Sequence, residues 1–376
     1  MTGRAPRILI LTASYGSGHN RVAAALRQAL SAEGAEVEVI DHFARFVDLR
    51  FALVTQTLYL AILKAAPALW GFAYRLADRL PVESPLLFGM NRLGATKLAR
   101  HLARHPADLV ISTHPTPAGA LSRLCGRGRI ACPHATVFTD FVAHTQWVYP
   151  HVERYFVPAE EVQARLLERG IPSDRIRVSG IPLQPAFASP VDRSALRAEL
   201  GLLAELPVVL VMAGLHGTLG GLGEVVRVLT ALPLAVQALV VCGQDRGLAR
   251  RLERLIRGDP RVRVYGYVEG IHRLMGGADL LVSKAGAVTM AEALALELPT
   301  VLFRSLPGQE RANEAFLEAA GIALVARSRQ ELAERVVHCL TDPALRLKLA
   351  ENIRRLRRPD AARTVACELL AISRGG

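Results

Sequence analysis

An imidazole sits where a glycine turn gives way to a helix. In Ile8-Leu9-Ile10-Leu11-Thr12-Ala13-Ser14-Tyr15-Gly16-Ser17-Gly18-His19, the run Ile8–Leu11 reads as a buried strand and Gly16 with Gly18 as a turn. Ala23–Leu30 reads as the helix that follows. A strand–turn–helix unit gathers free backbone N–H groups and the positive end of a helix dipole in one crevice, where anions bind. His19 could there take a proton from a hydroxyl held beside an anionic ligand; it could equally serve only as a helix cap. The dinucleotide fingerprint G-x-G-x-x-G needs a third glycine where Arg21 stands, which disfavours hydride transfer.

A second set of such residues lies in the C-terminal half. Gly214-Leu215-His216-Gly217-Thr218-Leu219-Gly220-Gly221 follows an apolar run and precedes a helix-like segment, a second phosphate-cradle candidate. Tyr267 and Val268 close a strand in an apolar loop that suits a flat base. Lys284-Ala285-Gly286-Ala287-Val288-Thr289 leads from strand through turn into a helix that carries Glu292. That carboxylate could accept both hydroxyls of a ribose while the N–H groups of Gly286, Val288 and Thr289 face a diphosphate. Gln309 and Glu310, after Pro307-Gly308, could fix sugar hydroxyls. Each residue also has an ordinary structural reading, Glu292 as an acid balancing a helix dipole, for example.

The elements that must position these residues alternate. Strand-like runs fall at Ile8–Leu11, Val37–Ile40, Leu109–Ser112, Ala135–Phe138, Tyr155–Val157 and Ile176–Val178. A second series runs Val208–Met212, Ala238–Cys242, Val262–Tyr265, Leu280–Ser283 and Thr300–Phe303. Helix-like segments between them indicate α/β architecture with parallel sheets, whose ligands bind at the carboxyl ends of the strands. The 376 residues suffice for two cores. The boundaries expected are 1–183, a Pro-rich linker 184–192, a second domain 193–345, and C-terminal helices 346–376 that return towards the first domain.

Composition narrows the partners. The formal charge is +12, and all but four of the 46 basic residues are arginine. A basic surface attracts phosphates, anionic lipid or nucleic acid. No zinc-finger spacing or aromatic-studded strand favours nucleic acid. Five cysteines without a C-x-x-C pair fit a reduced cytoplasmic protein with no structural zinc. Residues 51–73 are apolar enough to raise a membrane span, but Lys64, Pro67 and Thr55-Gln56-Thr57 argue against it. Phe51, Val54, Leu58, Ile62, Ala65 and Leu69 recur at helical spacing, as in an interfacial amphipathic helix or a core helix. Tyr59, Trp70, Arg75, Arg79 and Arg92 suit a lipid–water boundary.

Taken together these segments resemble the inverting glycosyltransferases that include monogalactosyldiacylglycerol synthase, processive diacylglycerol glucosyltransferase and the N-acetylglucosaminyltransferase of peptidoglycan precursor synthesis. Ala13–His19 resembles their glycine-histidine loop, and Lys284–Glu292 with Pro307–Asn313 their donor-nucleotide segment. Phe138-Thr139-Asp140-Phe141 with His144 and Trp147, and Val178–Pro182, resemble the diacylglycerol branch. The resemblance implies a GT-B fold: two Rossmann-like domains with a cleft between them, acceptor mainly in the first and UDP-sugar in the second. It implies His19 as general base and Tyr15, His114, Asp140, His144 and Trp147 on the acceptor side. Gly16, Gly18, Gly214 and Gly217 join the donor set. No metal or other cofactor is implied. The reaction implied is transfer of a hexose, glucose before galactose, from a UDP-sugar to 1,2-diacylglycerol at the inner face of the cell membrane, giving a β-glycoside. Transfer to a polyprenyl-linked precursor and UDP-sugar epimerisation are the alternatives. Ala285, Ala287 and Gln184 depart from the family pattern and leave the sugar open. Oligomeric state is not legible.

Overall fold

A computed structural model of the chain describes residues 4–79, 84 and 92–375. The side chain of Lys64, used above against a membrane span, lies outside what is described. The chain divides into two compact units, Met1–Pro185 with Arg358–Gly376, and Ala186–Arg357.

In the first unit the elements are β1 (Arg7–Thr12), α1 (Ser17–Ala32), β2 (Glu36–Asp41), α2 (Leu49–Ala65), α3 (Pro67–Arg79), α4 (Ala95–Arg104) and β3 (Leu109–Ser112). They continue with α5 (Pro115–Gly126), β4 (His134–Val137), β5 (Arg154–Val157), α6 (Glu160–Glu168) and β6 (Ile176–Val178). The strands form one parallel sheet in the order β2-β1-β3-β4-β5-β6. The inner strands β1 and β3 are buried, largely apolar runs, as expected for strands covered on both faces, whereas the edge strand β2 alternates charged and apolar residues. The order reverses between β1 and β3, so the loops after these two strands diverge and leave a crevice at their carboxyl ends. The turn that carries His19 follows β1, and His114 follows β3.

In the second unit come α7 (Arg193–Glu199), β7 (Val208–Met212), α8 (Leu222–Thr230), β8 (Gln237–Val241), α9 (Arg246–Ile256), β9 (Val262–Tyr265) and α10 (Ile271–Gly277). Then follow β10 (Leu280–Ser283), α11 (Ala287–Ala295), β11 (Thr300–Phe303), α12 (Gln309–Ala319), β12 (Leu324–Ala326), α13 (Arg329–Thr341) and α14 (Pro343–Leu356). The second parallel sheet has the order β12-β11-β10-β7-β8-β9. Its reversal lies between β7 and β10, whose following turns carry Gly214 and Lys284. His19 with His114, and Gly214 with Lys284, thus sit at the switch points of their own sheets.

The expected boundary at residue 346 is corrected. α14 packs on α11 and α13 within the second unit and buries Leu349 in its core. Only the last helix, α15 (Ala361–Gly375), packs on α1 of the first unit. Gly180 admits the returning chain: it has φ +84°, and a Cβ there would lie 2.4 Å from the Cβ of Arg358. An L side chain is disfavoured there on both counts.

The segment 51–73 is not one helix. α2 and α3 meet at 112°, with the break at Ala66 before Pro67. Among the described residues no single helix is long and apolar enough to cross a membrane. The core-helix reading also fails: Leu49, Leu53, Val54 and Leu58 of α2, and Leu69, Phe72 and Leu76 of α3, are each at least half exposed. Tyr59 and Trp70, edge-to-face with centroids 4.9 Å apart, join the two helices.

Candidate active site

α1 begins at Ser17, earlier than its apolar spacing suggests, so His19 lies in its first turn. Gly16 before it is extended, at φ 178°, and nothing lies within 4 Å of where a Cβ would sit. The imidazole is partly exposed. Its Nδ1 lies 2.7 Å from the carbonyl oxygen of Thr113 and 3.0 Å from Thr139 Oγ1. A carbonyl oxygen only accepts, so Nδ1 carries the ring proton and donates it. Nε2 is left with its lone pair and has no partner among the described residues. Burial pushes the His19 pKa below its ordinary value, while the Asp140 carboxylate and the Thr113 carbonyl pull it back up. The imidazole is therefore neutral and its acceptor nitrogen is fixed.

The surroundings are aromatic. His114 meets the His19 ring edge-on, with centroids 4.7 Å apart, and Trp147 lies 6.3 Å away. Trp147 is buried and stacks on Phe138. Tyr15 packs edge-on against Phe43, and its hydroxyl is 2.6 Å from Thr55 Oγ1, which ties the glycine turn to α2.

In the second unit Lys284 Nζ is ion-paired with Glu310 Oε1, and the other oxygen of Glu310 accepts the Leu306 N–H at 3.0 Å. The stem of Lys284 crosses Gly214, where a Cβ would lie 3.0 Å from its Cε. Ala285 is tied at both backbone groups: its N–H donates to Ser305 Oγ at 3.1 Å, and its carbonyl accepts from Asn313 Nδ2 at 3.3 Å. Gly286 is the N-cap of α11, with open space beside its Cα. The turns after β7, β10 and β11 thus present backbone N–H groups, a helix N-terminus and an ammonium at one end of the sheet, the chemistry that holds a diphosphate.

Residues 19–183 match the family described as monogalactosyldiacylglycerol (MGDG) synthase, and residues 208–365 the glycosyltransferase family 28 C-terminal domain. The chain is 31% identical over 360 residues to the processive diacylglycerol beta-glucosyltransferase of Bacillus pumilus, across 96% of this chain and 93% of the relative. It belongs to the MGDG synthase-type glycosyltransferases of family 28. The crystal structure of MurG from Acinetobacter baumannii superposes with a TM-score of 0.66 at 17% identity, over 97% of this chain and 99% of that one. UDP-GlcNAc 2-epimerase from Neisseria meningitidis gives 0.62 at 16%, over 97% and 100%. At such identities the likeness speaks for the fold alone, which is GT-B.

Within that family frame, the structure gathers some of the residues singled out in the sequence and separates others. His114, Asp140 and Trp147 gather around the His19 ring. His144 belongs to its wall rather than its lining: the ring is buried, Nδ1 accepts the Gln146 N–H at 3.1 Å, and Nε2 donates to the Tyr74 carbonyl at 3.3 Å. It anchors α3, helped by Asp78, which accepts the Thr145 N–H at 2.9 Å. Gly217 is needed for packing, since a Cβ there would lie 3.0 Å from both Asp245 and Leu248. Glu292 is 2% exposed, in the second turn of α11. Tyr267, 61% exposed, and Val268 follow the edge strand β9, three places from β10. Gln309 opens α12, and Val288 and Thr289 lie in the first turn of α11.

Sequence reasoning missed Thr113, Thr139 and Gly243. Thr113 holds the imidazole through its backbone carbonyl and Thr139 through its hydroxyl, so their role is visible only once β3 and β4 are placed in order beside β1. Gly243 closes on the Gly214 turn: it has φ +64°, and a Cβ would lie 2.4 Å from the Gly214 carbonyl oxygen. The Gln244 N–H donates to the Leu215 carbonyl beside it at 2.7 Å. A glycine directly after a strand, in Cys242-Gly243-Gln244, was the available signal.

Proposed function

We propose that the chain transfers a glucosyl group from UDP-glucose to the free hydroxyl of 1,2-diacylglycerol, inverting the anomeric carbon, with His19 as general base. The observation that carries the reading is the His19 tautomer: a neutral imidazole whose Nε2 lone pair is open and whose Nδ1 proton is held by the Thr113 carbonyl. The acceptor O–H gives its proton to Nε2 as its oxygen bonds to the anomeric carbon. The bond from that carbon to the diphosphate oxygen breaks, and the electron pair leaves with UDP. One displacement converts an α-linked donor into a β-glycoside. Lys284, Gly286 and the N–H groups of Val288 and Thr289 take the charge of the departing diphosphate, so the reading needs no metal. Glu292 holds the ribose, and Gln309 and Glu310 the sugar. The name of the Bacillus pumilus relative supports glucose and diacylglycerol. The exposed apolar residues of α2 and α3, followed by Arg75 and Arg79, support peripheral binding to an anionic lipid surface.

The test offers diacylglycerol in mixed micelles with a panel of UDP-sugars and resolves the product anomer by NMR. Faster transfer from UDP-glucose than from the other donors, giving a β-glucosyldiacylglycerol, is expected. An α-linked product rejects single displacement, and turnover of free UDP-sugar without lipid favours an epimerase.

A further inference from the structure

His114 ends the β3 loop as the N-cap of α5, and its Nδ1 accepts the backbone N–H of Thr116 at 3.2 Å. An N–H only donates, so in a neutral ring the proton of His114 resides on Nε2. The ring is neutral: burial, with His19 and His42 nearby, holds its pKa well below the ordinary histidine value. The Nε2–H is not sealed in the core, for the residue is partly exposed and no described residue accepts from it. Two adjacent imidazoles, 4.7 Å apart at their centroids, are thereby locked in opposite tautomers. His19 offers a lone pair and His114 offers a proton, each set by a backbone group that cannot change role.

We propose that the pair grips a single acceptor hydroxyl: the O–H donates to His19 Nε2 while the same oxygen accepts from His114 Nε2–H. A hydroxyl oxygen has one proton and two lone pairs. With the proton committed to His19 and one lone pair to His114, the second lone pair is the one left to form the bond to the anomeric carbon. When that bond forms, the proton passes to His19 Nε2, His114 keeps its own, and the electron pair of the broken bond leaves with UDP. His114 is then a second catalytic residue that orients the nucleophile and stabilises the charge it develops. The inference rests on the assignment of the His19 crevice to the acceptor.

Asparagine and glutamine separate the two jobs of His114. In His114→Asn the side-chain oxygen can replace Nδ1 as the cap, but nothing replaces the Nε2–H. In His114→Gln the longer amide can place an N–H near the Nε2 position while the cap is lost. The thermal midpoint should be nearly kept in the Asn variant, with kcat for lipid transfer reduced about tenfold or more, the scale of one hydrogen bond. The Gln variant should recover most of that loss despite a lower thermal midpoint. An Asn variant with wild-type kcat overturns the proposal. So does a Gln variant no better than Asn at temperatures where both are folded. A second arm needs no substrate: 15N-labelled histidine should show the proton of His114 on Nε2 and that of His19 on Nδ1. Finding either ring in the other tautomer also overturns the proposal. Lack of lipid transfer by the wild type, with the tautomers as stated, would instead count against the acceptor assignment.

Discussion

The Nδ1 atom of His19 lies 2.7 Å from the carbonyl oxygen of Thr113, a contact between the helix after β1 and the first residue beyond β3. The two strands pair in parallel, Leu11 opposite Ser112, and the Thr113 N–H continues the ladder to the Leu11 carbonyl at 3.0 Å. The orientation of the imidazole is therefore set by sheet register, which a buried parallel strand specifies strongly. The first turn of α1 supplies the imidazole, and the sheet decides which nitrogen is free.

His19→Ala removes the base and leaves the donor turns of the second unit untouched. The kcat for transfer should fall roughly 10²–10⁴-fold, the usual contribution of a positioned base, while UDP affinity measured by calorimetry stays within about twofold. If His19 is only a helix cap, the variant will lose thermal stability and keep near-normal turnover.

The acid limb of kcat reports the same ring. Neutral imidazole is the active form, so the rate falls as pH drops through the pKa. Burial places that pKa below the ordinary value of about 6.5. Asp140 faces the ring and favours its charged form, whereas the neighbouring His114 stays neutral. In Asp140→Asn the acid limb should move to lower pH, because the attraction that raises the pKa is gone. A limb that moves upward, or whose wild-type midpoint lies above about 6.5, contradicts the assignment.

Much of the fold was legible because parallel strands buried on both faces leave apolar runs between turn residues. All eleven predicted runs are strands, with no end shifted by more than one residue. The twelfth, Leu324–Ala326, is a three-residue edge strand inside the apolar stretch Ile322–Ala326, where period 2 cannot be told from period 3.6. The break between α2 and α3 was signalled by Pro67, but apolar spacing on both sides concealed it. The glycine turns could be read as ligand cradles; which glycines serve a ligand and which serve packing could not. Gly217 and Gly243 are explained by neighbours far away in sequence, Asp245 with Leu248 and Gly214. The resemblance to the diacylglycerol branch puts His144 on the acceptor side, yet both its nitrogens are taken up internally.

Lys284 and Glu292 should both matter for donor binding, by different routes. Lys284→Met removes the ammonium proposed to face the diphosphate and leaves Glu310 without its cation, so UDP affinity should weaken at least about tenfold. Glu292→Ala should cost about 1.5–3 kcal/mol of UDP affinity, the range for hydrogen bonds to a charged group. Calorimetry on folded variants decides each case, and unchanged affinity for Glu292→Ala would remove it from the ribose.

The apolar surface of α2 and α3 predicts how the protein meets lipid. Liposome binding should require anionic lipid and weaken as salt rises, since Arg75 and Arg79 end α3. Replacing Leu53, Leu58 and Phe72 together by serine should abolish cosedimentation, because each buried side chain contributes roughly 1.5–3 kcal/mol, while soluble UDP binding is retained. Binding that survives both high salt and the triple substitution would place the contact elsewhere.

His134 makes the stability of the first unit pH-dependent. It opens β4, is 1% exposed, and its Nδ1 lies 3.5 Å from Cys125 Sγ. Its Nε2 is buried without a hydrogen-bond partner among the described residues. Burial, with His151 nearby, lowers its pKa to about 4. The unfolded imidazole titrates near about 6.5, so between these values the unfolded state binds the extra proton. Stability is fully present above about pH 6.5 and is lost progressively down to about pH 4, by about 1.4 kcal/mol per pH unit. His134→Leu deletes the titrating ring from an apolar site and should flatten this part of the profile. Urea titrations of the first unit at about pH 7 and about pH 4.5 should show the wild type losing about 2–3 kcal/mol more than the variant. Parallel losses would mean that His134 takes up its proton without unfolding and that burial does not hold it neutral.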